Sequence, residues 1–303
     1  MPALISRMFF KTFLALDRVG VHVLPKHYYS PIPDYQWLRR HPEIWNRRAP
    51  MTGVAWELDE QLASLGRVCG PYYHEVKGFR LYERLAGSGW GPGFGPIESQ
   101  VLHCFMRALA PPRVIEIGSG VSTACMLHAA ALNEREGRPK SEITCIEPYP
   151  SSSLKSVSGV TLLAEACQTV PASVFARLQP GDLLFVDSSH AVRVGSDVIR
   201  IYLEIIPQLT AGVHIHVHDI FLPYMFGRSV LHGFYSSQET ALLLALLTDN
   251  QRLSIIACLS ALHYDRPDQM KKVLCDYKPQ ENVGGLRGKH AHGHFPSSCW
   301  LRA

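Results

Sequence analysis

The stretch from Arg113 to Thr123, RVIEIGSGVST, decides the fold of this chain. Its apolar first half predicts a strand, and Gly118 and Gly120 then predict a turn that leads into a helix capped by Ser122 and Thr123. Glycines suit such a turn because a bulky ligand can lie against backbone that carries no side chain. The stretch therefore predicts a nucleotide-like ligand at the carboxyl edge of a sheet.

The spacing of this turn separates two classes of ligand. A dinucleotide fingerprint has a third glycine, GxGxxG, at the position where this chain has Thr123. Glu116, just before the turn, would repel a diphosphate, but its carboxylate could accept a hydrogen bond from a cationic amino-acid ligand. The spacing therefore favours a ligand with an amino-acid part over a dinucleotide.

Four later segments also have the composition of strands that end in polar residues. They are Ser141 to Pro150, Gly159 to Ala166, Gly181 to His190 and Gly212 to Ile220, and they end near Glu147, near Glu165, at Asp187, and at His218 with Asp219. The repeated order of strand, turn and helix predicts a doubly wound, mostly parallel α/β sheet. An acidic residue at the position of Glu147 typically accepts hydrogen bonds from ribose hydroxyls.

These motifs together resemble a known family. The acidic residue followed by GxG resembles the first motif of the class I S-adenosylmethionine-dependent methyltransferases, and DSSH, GSDV and HVHDIFLPY resemble the branch called methyltransferase family 24, over roughly residues 90 to 265. The resemblance implies a seven-stranded Rossmann-like methyltransferase sheet and S-adenosylmethionine as cofactor. Members of the family differ widely in the acceptor that they methylate. The resemblance implies a small-molecule acceptor, such as a sugar or another natural product that is methylated late in its biosynthesis.

The resemblance also carries roles for individual residues. The cofactor-binding residues that it implies are Glu116, Gly118, Gly120, Ser122, Glu147 and Asp187. The residues expected to border the acceptor and take part in catalysis are Asp187, His190 and His218. A histidine suits the removal of a proton from an alcohol, since its ordinary pKa lies near neutrality. Transfer to an oxygen atom of a small molecule is therefore the predicted reaction.

Three histidines, His214, His216 and His218, alternate along the fifth predicted strand and so point to one face of it. The first two lie back along the strand, where buried and hydrogen-bonded roles are expected. Related sugar methyltransferases place a divalent metal ion between carboxylates at such strand ends. The metal ligands that the resemblance suggests here are Asp187, His218 and Asp219. A mixed set of this kind suits zinc, iron or manganese better than magnesium.

The chain divides by composition into an extension, residues 1–95, and a methyltransferase domain, residues 96–303. The extension is partly helical and partly irregular, and it could be a lid or a dimerisation arm, so a homodimer is one expectation. Its Tyr28 and Tyr29 are expected to line the acceptor pocket, together with Tyr224 and Arg228 after the fifth strand.

Composition narrows the function further. The net charge is only +4 and basic residues are scattered, so nucleic-acid binding is not expected. Eight cysteines without CxxC spacing suggest reduced thiols in a cytoplasmic protein. No apolar run is long enough to predict an integral membrane segment. Met8, Phe9, Phe13 and Leu16 fall on one helical face, which packs against protein or touches a membrane surface.

Two other functions stay open from the sequence. The first is a metal-dependent hydroxylase-like enzyme that uses the crevice of Asp187, His190, His218 and Asp219. The second is a non-catalytic binding module on the same fold.

Overall fold

A computed structural model describes residues 3–24, 26–30, 32–91, 93–231, 237–283, 286–287 and 292–303. For residues 3–7, 228–229, 282–283 and 286–287 it describes the backbone alone. The chain forms two compact units, Met1–Trp45 and Asn46–Ala303. The division predicted from the sequence, 1–95 and 96–303, is a different one and stays a prediction.

The first unit contains three helices. They are α1 (Ala3–Asp17), α2 (Tyr35–Arg40) and α3 (Pro42–Trp45). Helix α2 begins where the Asp34 carboxylate accepts hydrogen bonds from the backbone N–H groups of Gln36 and Trp37. None of the helices that the structure describes is both long and apolar enough to span a bilayer.

The second unit is built around a seven-stranded sheet. Its strands are β1 (Arg113–Ile117), β2 (Glu142–Ile146), β3 (Val160–Leu163), β4 (Leu183–Val186), β5 (His214–Val217), β6 (Ser254–Cys258) and β9 (Cys299–Arg302). The strand order is β3-β2-β1-β4-β5-β9-β6, and only β9 runs antiparallel to its neighbours. The short strands β7 (Asn282–Val283) and β8 (Leu286–Arg287) pair separately. The predicted doubly wound, mostly parallel, seven-stranded sheet is confirmed.

Helices cover both faces of this sheet. They are α4 (Leu58–Cys69), α5 (Arg80–Leu85), α6 (Pro96–Leu109), α7 (Val121–Arg135), α8 (Ser152–Ser156), α9 (Ala172–Phe175), α10 (Asp197–Arg200), α11 (Glu239–Leu247), α12 (Leu259–Asp265) and α13 (Pro267–Val273). Helix α10 continues as a π-helical turn and a 3₁₀ turn up to Gln208. Alternate strand residues enter two separate cores: Leu183 and Phe185 pack on one face, Leu184 and Val186 on the other.

Candidate active site at the carboxyl ends of the strands

The parallel register brings the predicted site residues to one edge of the sheet. The last residue of β1, Ile117, lies opposite Ile146 of β2 and Val186 of β4, and Val186 lies opposite Val217 of β5. The next residue along each of these strands is therefore at the same level. These four residues are Gly118, Glu147, Asp187 and His218.

The glycine turn lies directly against the carboxyl end of β4. Gly118 has a φ of +98°, and a Cβ atom placed on it would lie 2.2 Å from the backbone oxygen of Asp187. Only glycine fits here, because the backbone conformation is left-handed and the space is already filled. The turn expected to hold the cofactor and the strand end that carries Asp187 are thus in contact.

Glu116 is buried beneath this turn. One carboxylate oxygen accepts a hydrogen bond from Ser122 Oγ at 2.6 Å, and the other accepts from Thr123 Oγ1 at 2.6 Å and Cys145 Sγ at 3.0 Å. Burial raises the pKa of the carboxyl group to about 7, although these hydrogen bonds act in the opposite direction. Glu116 and Ser122 therefore fasten β1 to the start of α7, and their predicted contact with a cofactor stays a prediction.

Glu147 is placed differently from Glu116. Its side chain is half-buried, and its two oxygens accept hydrogen bonds from Ser119 Oγ at 3.2 Å and from the backbone N–H of Tyr149 at 2.8 Å. A carboxylate has about four acceptor positions, so each oxygen keeps capacity for a further donor. The residue thus suits a ligand that presents hydroxyl groups.

His190 lies among three carboxylates. Its Nδ1 is 2.6 Å from Glu239 Oε2, and its Nε2 is 3.4 Å from Asp187 Oδ1 and 3.9 Å from Asp219 Oδ2. Two of the backbone positions involved are left-handed, with φ values of +58° at His190 and +53° at Asp219. Such conformations are uncommon outside glycine and cluster at functional sites.

The charge state of His190 follows from these neighbours. Burial alone would lower its pKa, but Asp187 and Glu239, with a further contribution from Asp219, outweigh burial and raise the pKa to about 11. The imidazole therefore carries a proton on both nitrogens at neutral pH. Glu239 is completely buried, and burial raises the pKa of its carboxyl group while His190 counteracts this effect.

His218 and Asp219 form the other side of the cluster. His218 Nε2 lies 3.6 Å from Asp219 Oδ1, which also accepts a hydrogen bond from Ser297 Oγ at 2.9 Å. Burial lowers the pKa of His218, but the carboxylates of Asp187 and Asp219 outweigh it, so the pKa lies above its usual value. The backbone N–H of Ser297 donates in turn to the buried Glu98 at 2.9 Å.

The other two strand histidines lie further from this edge. His216 is buried, stacks on Phe185 with ring centroids 4.1 Å apart, and has its Nε2 2.8 Å from Ser298 Oγ. His214 is half-buried, and its Nδ1 has no hydrogen-bond partner among the residues that the structure describes. Burial lowers the pKa of both rings. They are therefore uncharged at neutral pH.

The predicted metal site has no support in the described part of the chain. Among those residues, no group of three His, Cys, Asp or Glu side chains is arranged to hold a metal ion. The predicted ligands Asp187 and Asp219 face the protonated His190 instead, and Asp219 is also paired with His218. A cationic side chain therefore takes the position between these carboxylates.

The residues predicted to bind the acceptor fall in different surroundings. Tyr224 is buried, with its ring centroid 4.9 Å from that of Tyr264 and 5.9 Å from the Arg48 guanidinium carbon. Tyr28 and Tyr29, in the first unit, are 94% and 85% exposed. The side chain of Arg228 lies outside the described residues. Their roles stay predictions.

Two buried carboxylates near these residues were not predicted from the sequence. Glu239 is the first residue of α11, and Glu98 lies in the first turn of α6. An acidic residue at a helix start is ordinarily explained by the helix dipole, so nothing marks either as part of a site. The sequence gives one weak signal: each lies in the first turn of a helix whose later residues are largely apolar, so the start of the helix can be buried with them.

Comparisons of the sequence with known proteins gave two matches. The model of the methyltransferase domain called methyltransferase family 24 matches residues 115–220. An uncharacterized protein of Archaeoglobus fulgidus is 32% identical over 181 residues, which are 54% of this chain and 78% of that protein.

Similar solved structures were also found. A Staphylococcus aureus protein assigned as a caffeoyl-CoA O-methyltransferase is 12% identical, with a TM-score of 0.38 over 80% of this chain and all of that one. The MycE methyltransferase of mycinamycin biosynthesis, in complex with Mg, SAH and mycinamycin VI, is 14% identical, with a TM-score of 0.35 over 73% of this chain and 54% of that one. The domain match begins at Ile115, within β1, and ends at Ile220, three residues after β5, so it includes the strand ends described above. Residues 115–220 of this chain therefore belong to methyltransferase family 24.

Proposed function

We propose that this protein transfers the methyl group of S-adenosylmethionine to an oxygen atom of a small-molecule acceptor. The observation that carries the proposal is the contact between the glycine turn, where the cofactor is expected, and the end of β4, where the acceptor is expected. The glycine turn of β1 meets the backbone of Asp187, and Asp187 faces the protonated His190. A cofactor on the turn and an acceptor at the strand ends would therefore be neighbours.

The residues present fit the cofactor. Gly120 adds no side chain at the turn, and among the described atoms a Cβ there would meet only the backbone oxygen of Trp90, at 3.4 Å. Glu147 offers acceptor positions to the ribose hydroxyls. When bound, S-adenosylmethionine supplies a methyl group already activated on a sulfonium, so the protein contributes mainly position and proton handling.

The pair of Asp187 and His190 favours a hydroxyl group as the acceptor. A hydroxyl can donate its hydrogen to the Asp187 carboxylate and accept a hydrogen bond from the Nε2–H of His190. An ammonium group has donors only, so it would have to lose a proton before its nitrogen could accept a hydrogen bond from His190 or a methyl group. The methyl carbon would leave the sulfur of the cofactor as it joins the acceptor oxygen, and S-adenosylhomocysteine would be released. Asp187 would take the hydroxyl proton, and His190 would stabilise the negative charge that develops on the oxygen.

Cofactor binding is tested first by calorimetric titration with S-adenosylmethionine and S-adenosylhomocysteine, with NAD as control. We expect micromolar binding of both sulfur compounds and loss of at least about tenfold in affinity for Glu147→Ala, because two charge-assisted hydrogen bonds are removed. Glu142→Ala is the matched control, since Glu142 is exposed at the opposite end of the same strand. A preference for NAD, or unchanged binding by the Glu147 variant, would contradict the proposed cofactor site.

The acceptor atom is tested separately with methyl-labelled cofactor. Small alcohols, phenols and amines of matched carbon skeleton are offered at equal concentration, and the label in each product is counted. We expect transfer to hydroxyl compounds that Asp187→Asn abolishes while binding of S-adenosylhomocysteine persists. Transfer to amines alone would refute oxygen as the acceptor but leave the cofactor site intact.

A further inference from the structure

Helix α1 of the first unit presents large apolar side chains to solvent. Met8, Phe9, Phe10 and Leu14 are 65%, 51%, 60% and 44% exposed, respectively. At helical spacing these four residues cover most of the circumference, with Lys11 on the remaining side. An apolar helix surface of this width is normally covered by protein or by lipid. The exposed surface of α1 therefore indicates a missing partner.

The segment that follows α1 continues this surface. Val19, Val21 and Val23 are 71%, 47% and 59% exposed, and Tyr28 and Tyr29 are exposed almost completely. Tyrosine combines an apolar ring with a polar hydroxyl and concentrates where hydrocarbon meets water. Apolar and amphipathic side chains thus follow one another over about twenty residues of the same unit.

Charge decides which partner fits. The Met1–Trp45 unit has an excess of basic over acidic residues: six of its residues are Lys or Arg, and three are Asp or Glu. Asp34 pairs with Lys26 at 2.7 Å, whereas Lys11 and Arg18 have no such partner among the described residues. Lys11 and Arg18 are exposed beside the apolar side chains. Two copies of this surface would bring like charges together, whereas anionic lipid headgroups would attract it. The combination of a basic and an apolar surface is typical of helices that lie in the membrane interface.

We propose that the Met1–Trp45 unit binds the surface of an anionic lipid bilayer, with α1 lying in the plane of the interface. The 15 residues of α1 extend about 22 Å at 1.5 Å per residue, less than the roughly 30 Å of a hydrocarbon core. Phe9 and Phe10 enter the acyl boundary, and Lys11 and Arg18 contact the headgroups. All residues of this binding surface belong to the first unit.

The test is co-sedimentation of the full chain with vesicles of phosphatidylcholine alone or mixed with phosphatidylglycerol. We expect binding to the mixed vesicles that weakens with added salt. Phe9→Ser with Phe10→Ser should weaken it by about tenfold or more, since each phenylalanine loses its burial in lipid. Lys11→Glu with Arg18→Glu should weaken it by a similar factor while leaving the apolar residues in place.

The matched control replaces two exposed apolar residues of the second unit, Val194 and Leu203, with serine. This variant should bind vesicles as the wild type does, and thermal unfolding should show that all variants remain folded. Failure of the wild type to sediment with anionic vesicles would overturn the proposal. So would an oligomer, detected by light scattering without lipid, that only the phenylalanine variant loses, because a second copy would then cover α1.

Discussion

At the scale of single residues, the contact between Glu239 and His190 determines the charge of the candidate site. The two residues are 49 positions apart in the chain, and their side chains meet at 2.6 Å. The sequence indicates His190, because it follows a strand end, but not Glu239, because an acid at a helix start has an ordinary explanation. Without Glu239, His190 reads as a base of near-neutral pKa. The three surrounding carboxylates make it a cation instead.

This charge state predicts a specific pH dependence of stability. The folded-state pKa of His190, about 11, exceeds the usual value of 6.5, so its stabilising contribution is complete below pH 6.5 and is lost as pH rises towards 11. Glu239→Gln should lower the folded-state pKa of His190, so the variant should lose the stabilising contribution of His190 at a lower pH than the wild type does. We expect the stability advantage of the wild type over the variant to shrink as pH rises from 7 to 10, by at most about 1.4 kcal/mol per pH unit.

Denaturant unfolding at several pH values measures this difference. Glu165→Gln is the control, since Glu165 is an exposed carboxylate that follows β3, away from His190. Its difference from the wild type should stay constant over the same range. A constant difference for Glu239→Gln as well would show that Glu239 does not set the pKa of His190.

At the scale of elements, β1, its turn and α7 show what a motif can and cannot predict. The strand, the turn and the helix follow from apolar spacing, two glycines and two hydroxyl residues. The direction of the Glu116 side chain does not follow from them. Strand alternation and the hydroxyl groups of Ser122 and Thr123 turn it inwards, and these contacts depend on how α7 packs. An acidic residue before GxG can therefore hold the turn together from inside.

The close packing of the β1 turn against β4 predicts the effect of replacing Gly118 with alanine. Gly118→Ala should destabilise the protein by about 3 kcal/mol or more, because the left-handed backbone and the collision with Asp187 both oppose a side chain. Gly137→Ala is the matched control: Gly137 has a φ of +77°, but no described atom lies within 4 Å of the position that a Cβ would take, so only about 1 kcal/mol is expected. Equal unfolding free energies for the two variants would refute the close contact between the turn and β4.

At the scale of the whole molecule, the sheet was predictable because five strands repeat the same order along the chain. The position of β9 between β5 and β6 was not predictable. The end of β6 and Cys299 are separated by 40 residues, and pairing over such a distance leaves no local signal in the sequence. The contribution of α4 to the core was also hidden. Leu65 and Cys69 pack with the sheet although they precede the first strand by more than 40 residues.

The two cores of the sheet predict how the second unit behaves alone. Every residue of both described hydrophobic clusters lies after Trp45. A protein that begins at Asn46 should therefore unfold at a Tm within about 4 °C of the full chain, which corresponds to roughly 2 kcal/mol. It should also bind S-adenosylhomocysteine with the same affinity, while its binding to anionic vesicles disappears. A large fall in Tm, measured by calorimetry, would mean that residues 1–45 support the methyltransferase fold itself.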